Sequence, residues 1–241
     1  MALTKVIGAG VGSLTEDLAL SDSDKIKLGA GSDLQLYHDG SHSYIDEVGT
    51  GSLYVRASII RWTNADGSET LGGVDADGGW FLKANNSNAL VIDTNGHVTK
   101  PLQSTFMAQA GNQSNIATTG NDVTVTFSNE VFDRNADYNN SNYTFTAPLE
   151  GLYHLSVQGY LLNVDTAASY YQIAIRTSNR SYYWLLDPNG FDADVSYVPF
   201  TVTSLVDMDA SDTATVAFNQ NGGSAQTDID TSSRFSGYLV A

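Results

Sequence analysis

The side chains that could do chemistry here are loop carboxylates, two paired histidines and one aromatic run. LDPNGFDADVSY (Leu186–Tyr197) holds Asp187, Asp192 and Asp194, and VDMDASD (Val206–Asp212) holds Asp207, Asp209 and Asp212. Alternate aspartates can gather calcium, which takes several oxygen ligands. Neither run has the loop template or closing Glu of an EF-hand, so solvated loop acids are the plainer account. His38 and His42 flank Asp39-Gly40. On a threefold axis such histidines could meet and hold a cation, but with no Cys or Glu cluster nearby they read first as turn-flanking side chains. Glycan hydrolysis needs two acids set across a cleft, one with a raised pKa. Few apolar neighbours flank these aspartates, and the chain has neither a Gly-x-Ser-x-Gly elbow nor a Ser-His-Asp series. No catalytic residue, cofactor or firm metal ligand is assigned, calcium is left open, and an enzyme is not expected.

The surface candidate for binding is TSNRSYYWLLDPNGFDAD (Thr177–Asp194). It places Tyr182, Tyr183, Trp184 and Phe191 beside Arg180, Asp187, Asn189, Asp192 and Asp194. Aromatic faces stack on sugar rings while amides and carboxylates bond their hydroxyls. In a strand, alternate members of Tyr182–Leu186 point inward, so half of these aromatics are expected in the core.

Those loops need a scaffold, and the composition limits what it can be. The 241 residues carry 27 acidic and 11 basic side chains, a formal charge of −16. Nucleic-acid binding, which neutralises phosphates with Lys and Arg, is not expected, nor is docking on an anionic membrane. With no cysteine, disulfides and thiolate metal sites are excluded. The start, MALTKVIGAGVGSLTEDLAL, lacks the apolar core of a signal peptide. No apolar run approaches spanning length, so membrane insertion is not expected. The Asn-x-Ser/Thr triplets at Asn85, Asn112, Asn142 and Asn179 then carry no glycosylation meaning. The expectation is a chain made in a cytoplasm and used as part of a particle.

Short runs rich in Val, Ile, Thr and Tyr (DLQLY, SLYVRA, DVTVTF, YYQIAIRT, VPFTVTSLV, ATVAF) recur between Gly and Asx turn signals. That pattern predicts an all-β protein with very little helix. Residues 1–24, small and polar, read as a docking arm or tether. Residues 25–100 read as a shaft of short hairpins, in which LQLYHDGSHSYI (Leu34–Ile45) corresponds to FLKANNSNALVI (Phe81–Ile92). Asp39-Gly40 and Asn85-Asn86 tolerate positive φ and predict tight turns. One copy of such a segment buries little apolar surface, and isolated hairpins are marginal. Three copies around a shared axis would bury more, with Leu34, Leu36, Leu53, Tyr54, Val55, Leu82, Leu90 and Val91 as candidate core. Pro101 marks the start of the third segment, 101–241.

In that segment Phe127 is followed after five residues by Asp133, after four by Tyr138, after six by Phe145, and after five by Gly151. Tyr153 and Leu155 follow at alternate positions. The series resembles the signature of the C1q-like globular head, with Leu155 and Val157 standing where aromatics are usual. RFSGYLV (Arg234–Val240), containing Phe235 and Gly237, resembles the family's closing strand, and STFMAQA (Ser104–Ala110) its opening one. The resemblance implies a trimeric jelly-roll β-sandwich over 101–241, a homotrimer, and heads that often bind calcium. Without the family name, the same spacing still encodes strand lengths, with each aromatic a core or inter-subunit plug.

LGAGSDLQLYHDGSHSYIDEVGTGSLYVRA (Leu28–Ala57) resembles a module of tail-fibre and other structural proteins of marine and cyanobacterial phages, and WFLKANNSNALVIDTNGHVT its downstream partner. This implies a virion appendage: an arm docking on other virion proteins, a trimeric intertwined β shaft, and a head binding a host-surface glycan or protein. A tail fibre is the leading expectation. A capsid-mounted fibre or decoration protein, a purely structural connector and a surface-glycan depolymerase are the alternatives.

Overall fold

Alternation of apolar and polar residues at a period of two dictates strands with one buried face, and strands are what form. A computed structural model describes residues 17–241; the docking arm expected over residues 1–24 lies, up to residue 16, outside the described residues. Among the described residues there is no α-helix, only one 3-10 turn, Pro188–Gly190. The chain divides into two compact units, Met1–Ser58 and Ile59–Ala241. The boundary falls within the stretch read as shaft.

The first unit is an antiparallel meander of β1 (Lys25–Leu28), β2 (Leu34–His38) and β3 (Ser43–Glu47). The Asp39 carboxylate closes the β2–β3 turn by accepting from the amides of Ser41 (2.8 Å) and His42 (2.7 Å). The pairings Ile26–Leu36–Ile45 and Leu28–Leu34 put apolar residues on one face. Tyr37 and Tyr44 stack on the other at 4.8 Å, with Lys25 over Tyr37.

The second unit starts with a five-stranded meander: β4 (Ile60–Thr63), β5 (Thr70–Val74), β6 (Trp80–Ala84), β7 (Ser87–Ile92) and β8 (Val98–Thr99). Asn85 and Asn86 join β6 to β7 with φ of 49° and 60°, the two-residue turn their types predict. Leu53, Tyr54 and Val55 lie outside any strand and are exposed.

The remaining strands build a β-sandwich. They are β9 (Thr105–Gln109), β10 (Val123–Thr124), β11 (Asn129–Asp133), β12 (Tyr138–Asn139), β13 (Thr144–Thr146), β14 (Gly151–Val164), β15 (Ala168–Thr177), β16 (Ser181–Leu186), β17 (Val195–Met208), β18 (Thr213–Gly222), β19 (Asp228–Ile229) and β20 (Arg234–Leu239). One sheet has the order β12-β13-β18-β15-β16, with β10 on β18. The other has β11-β9-β20-β14-β17, with β19 on β14. All pairings are antiparallel, and most sequence neighbours lie in opposite sheets, whereas β12–β13 and β15–β16 are hairpins within one sheet.

The spaced aromatics meet in the core at Phe106, on the opening strand. Phe145 and Tyr138 stack on its ring at 4.8 and 5.0 Å, and Phe235 meets it edge-on at 5.0 Å. Tyr138 donates to the Phe127 carbonyl (2.8 Å) and Tyr153 to that of Leu149 (2.8 Å), so each buried hydroxyl is satisfied. Burial raises the Tyr138 phenol well above its ordinary value. The Asp133 carboxylate accepts from the amides of Tyr138 (2.8 Å) and Asn135 (3.3 Å), closing the turn with its side chain. Phe127, Phe145, Tyr153, Leu155 and Phe235 are fully buried.

Candidate functional site

Strand alternation divides β16 into two roles. Tyr182, Trp184 and Leu186 pack against the core, whereas Tyr183 (54 % exposed) and Leu185 (62 %) face solvent. Half of the aromatics in the Thr177–Asp194 stretch thus turn inward: Tyr183 and Phe191 are the exposed ones. Arg176 on β15 lies 4.8 Å over the Tyr183 ring and donates to its hydroxyl (2.7 Å), and it also pairs with Asp122 (2.6 Å). The Tyr183 phenol is lowered, first by its hydrogen bond with Ser181 and then by Arg176.

The loop after β16 is built by its own side chains. Asp187 accepts from the Asn189 amide (2.9 Å) and its side-chain nitrogen (2.7 Å), capping the Pro188–Gly190 turn. This presents Phe191 and Asp192 to solvent. Asp194 then accepts from the amide and hydroxyl of Thr166 (both 3.0 Å) and from Gln226 (2.9 Å). The Thr166 amide, followed by Gln226, holds this carboxyl below the ordinary aspartate range.

Asp194 lines an open cleft of about 360 Å³ with Asn115, Asn163, Val195, Ser196 and Gln226. Asn115 and Asn163 sit at φ of 52° and 54°, a conformation Asn tolerates better than most residues. Both are tied to Asp228, which accepts from the Asn115 amide (2.8 Å) and the Asn163 side chain (3.2 Å). Beneath them Tyr171 hydroxyl, buried in the sandwich, receives the Asp165 amide (2.8 Å) and meets Thr227 (3.1 Å). Among the described residues, the Asn115 side chain and the Ser196 hydroxyl have no intrachain partner and remain open to a ligand.

Of the residues singled out by sequence, Asp187, Asn189, Phe191, Asp192 and Asp194 gather around this end of the sandwich. Arg180 does not. It lies in the β15–β16 turn, bonded to Asp207, at the other end of a strand about 20 Å long. Asn115, Asn163, Ser196 and Gln226 were not legible. They come from distant segments, and their only local signal is an Asn or Gln in a polar loop.

His38 bonds Ser43 (3.1 Å) and the His42 ring meets Tyr44 edge-on. Among the described residues no group of three or more His, Asp or Glu side chains is placed to hold a metal. In the second acidic run, Asp207 is taken by Arg180, and Asp212 accepts from Asn179 (2.9 Å) and the Asp209 amide (2.9 Å).

The outward face of the β14-centred sheet has a different character. Leu152, Leu205, Tyr160, Tyr197 and Tyr238 are exposed on it, and His154 lies 5.0 Å from Tyr238. Across the paired strands β14, β17, β19 and β20, the register places carboxylates on this face only at its two ends, Asp207 opposite Leu152 and Asp228 opposite Leu162.

Two antiparallel sheets in this order, with an aromatic core fed by the spaced series, define a jelly-roll head. A model of the C1q domain matches residues 105–240, and the chain belongs to that family. Such a domain suggests a trimeric, receptor-binding type of head. Among solved structures, the globular domain of zebrafish complement 1qA protein is similar at 13% identity, covering 58% of this chain and 98% of its own, with a TM-score of 0.42. No curated protein matches the chain.

Proposed function

We propose that the chain is a bacteriophage tail fibre whose trimeric head binds a host-surface receptor, most simply a glycan. The observation that carries the attachment reading is the cleft of Asn115, Asn163, Asp194, Ser196 and Gln226. It is concave, rich in amide and hydroxyl groups, and held from below by buried hydrogen bonds, which suits recognition of sugar hydroxyls. Phe191, exposed on the neighbouring loop, supplies an apolar surface for a sugar face. Three such clefts in a homotrimer would turn weak single-site binding into avidity. The sheet face bearing Leu152, Leu205 and Tyr238 is the natural place for three heads to meet, because it joins apolar area to a near absence of carboxylates. The phage assignment itself rests on the resemblance of residues 28–57 to phage fibre modules. In this reading the protein acts by binding and not by catalysis, in the virion.

The test is competition. Purified protein should block adsorption of the phage to its host, and Asn115→Ala with Ser196→Ala should lose that block while sedimenting unchanged. Undiminished competition by the double variant would move the receptor site elsewhere. Antibody labelling of the capsid instead of the tail would replace the tail-fibre assignment with the capsid-mounted one.

A further inference from the structure

The carboxylates beside the cleft of Asn115, Asn163, Asp194, Ser196 and Gln226 fix which way its amides point. A carboxylate can only accept a hydrogen bond, so an amide bonded to one turns its nitrogen toward it and its oxygen away. Asp194 receives the Gln226 side-chain nitrogen (2.9 Å), and Asp228 receives that of Asn163 (3.2 Å). The Gln226 Oε1 and Asn163 Oδ1 atoms are thereby left as acceptors with no intrachain partner among the described residues. The carboxylate oxygens themselves are all engaged. Asp194 Oδ1 accepts from Thr166 and Oδ2 from Gln226, while Asp228 Oδ1 accepts from the Asn115 amide and Oδ2 from Asn163. The donors left open are the Asn115 side-chain nitrogen and the Ser196 hydroxyl. No cation balances the acids. The segments that frame the cleft, 112–115, 163–166, 187–196 and 224–228, hold Asp165, Asp187, Asp192, Asp194 and Asp228 but no Lys, Arg or His. The basic residues of the head are placed elsewhere: Arg176 pairs with Asp122, Arg180 with Asp207, and Arg234 bonds the Ser232 carbonyl. Arg134 lines a separate cavity with Lys100.

We infer that this cleft takes an uncharged sugar residue and rejects sugars bearing carboxylate, sulfate or phosphate. Sugar hydroxyls both donate and accept, so one ring can donate to the Asn163 and Gln226 oxygens and accept from Asn115 and Ser196. An acidic group only accepts. It would leave both amide oxygens unpaired and stand among carboxylates, two penalties that an uncharged ring avoids. An ammonium group only donates. It would leave the Asn115 nitrogen without an acceptor, and it would find every Asp194 and Asp228 oxygen already occupied. The formal charge of −16 on the whole chain adds to the repulsion of an anionic glycan.

The inference rests on the reading of this cleft as the receptor site, and the experiment separates the two. Oligosaccharides released from the host envelope are divided on an anion exchanger into an uncharged and an acidic pool. Each pool is labelled with a neutral fluorophore and titrated against the full chain. The uncharged pool should bind, and the acidic pool should bind roughly tenfold or more weakly. Ser196→Lys places a cation at an exposed position with no intrachain partner. It should raise binding of the acidic pool severalfold while the protein sediments unchanged. Preferred binding of the acidic pool that Asn115→Ala with Ser196→Ala abolishes would overturn the inference and keep the cleft as the receptor site. Binding of either pool that survives this double variant would overturn both, as would a chain that binds neither pool.

Discussion

Trp184 turns inward from β16 and lies 6.2 Å from the ring of Phe200 on β17, so the last strand of one sheet is pinned to the last strand of the other. The contact fixes the edge from which the Asp187–Asp194 loop departs. It also determines which of its neighbours, Tyr183 and Leu185, are left outside.

Trp184→Ala should therefore act first on stability. A fully buried Trp truncation costs about 3–5 kcal/mol, and this half-buried one should cost about 2 kcal/mol. Thermal unfolding checks the value. Tyr183→Ala, which removes an outward ring, should change the midpoint little by comparison.

Asp137 should make the head less stable as pH rises. Burial raises its carboxyl, and its Oδ2 atom is buried with no hydrogen-bond partner, as is the Ser104 hydroxyl. Ser104 lies close enough to relieve part of the cost without making a bond of acceptable geometry. With the folded pKa above the unfolded one, the penalty is absent below the unfolded value and grows as pH climbs through the folded one. Asp137→Asn should raise stability at neutral pH and flatten that decline, as read from denaturant midpoints across pH.

Asn163 holds the cleft in a left-handed conformation, φ 54°, that a β-branched residue resists. Asn163→Val should cost about 1–3 kcal/mol, whereas Asn163→Gly should keep the fold and lose only the bond to Asp228. Equal melting points for the two variants would show that the backbone there is relaxed.

Gly237 is a close-approach glycine. A Cβ at this position would lie 2.5 Å from Leu155 and 2.9 Å from Phe106, in the middle of the aromatic core. Gly237→Ala should cost about 1–3 kcal/mol by overpacking, measurable by chemical denaturation.

The all-β class, the turns at Asp39-Gly40 and Asn85-Asn86, and the packing role of Phe127, Tyr138, Phe145 and Tyr153, as core or inter-subunit plugs, were legible in the sequence, because each is a local statement. Period-two alternation assigns faces, Asx and Gly types assign turns, and spacing assigns strand lengths. The division of the Tyr182–Leu186 run into inward and outward residues followed from alternation as well. Leu53, Tyr54 and Val55, read as core shared among three copies, lie outside the strands, where no pleat gives them a face.

Tertiary structure decided what meets. Phe106 became the centre of the core only because β9 pairs with β20 and faces β12 and β13 from the opposite sheet. The cleft needed Asn115, Asn163, Ser196 and Gln226 brought together by jelly-roll crossovers, and the same crossovers sent Arg180 to the far end of β16. Alternation specifies that a strand has two faces, but strand pairing across long sequence separations decides what each face meets.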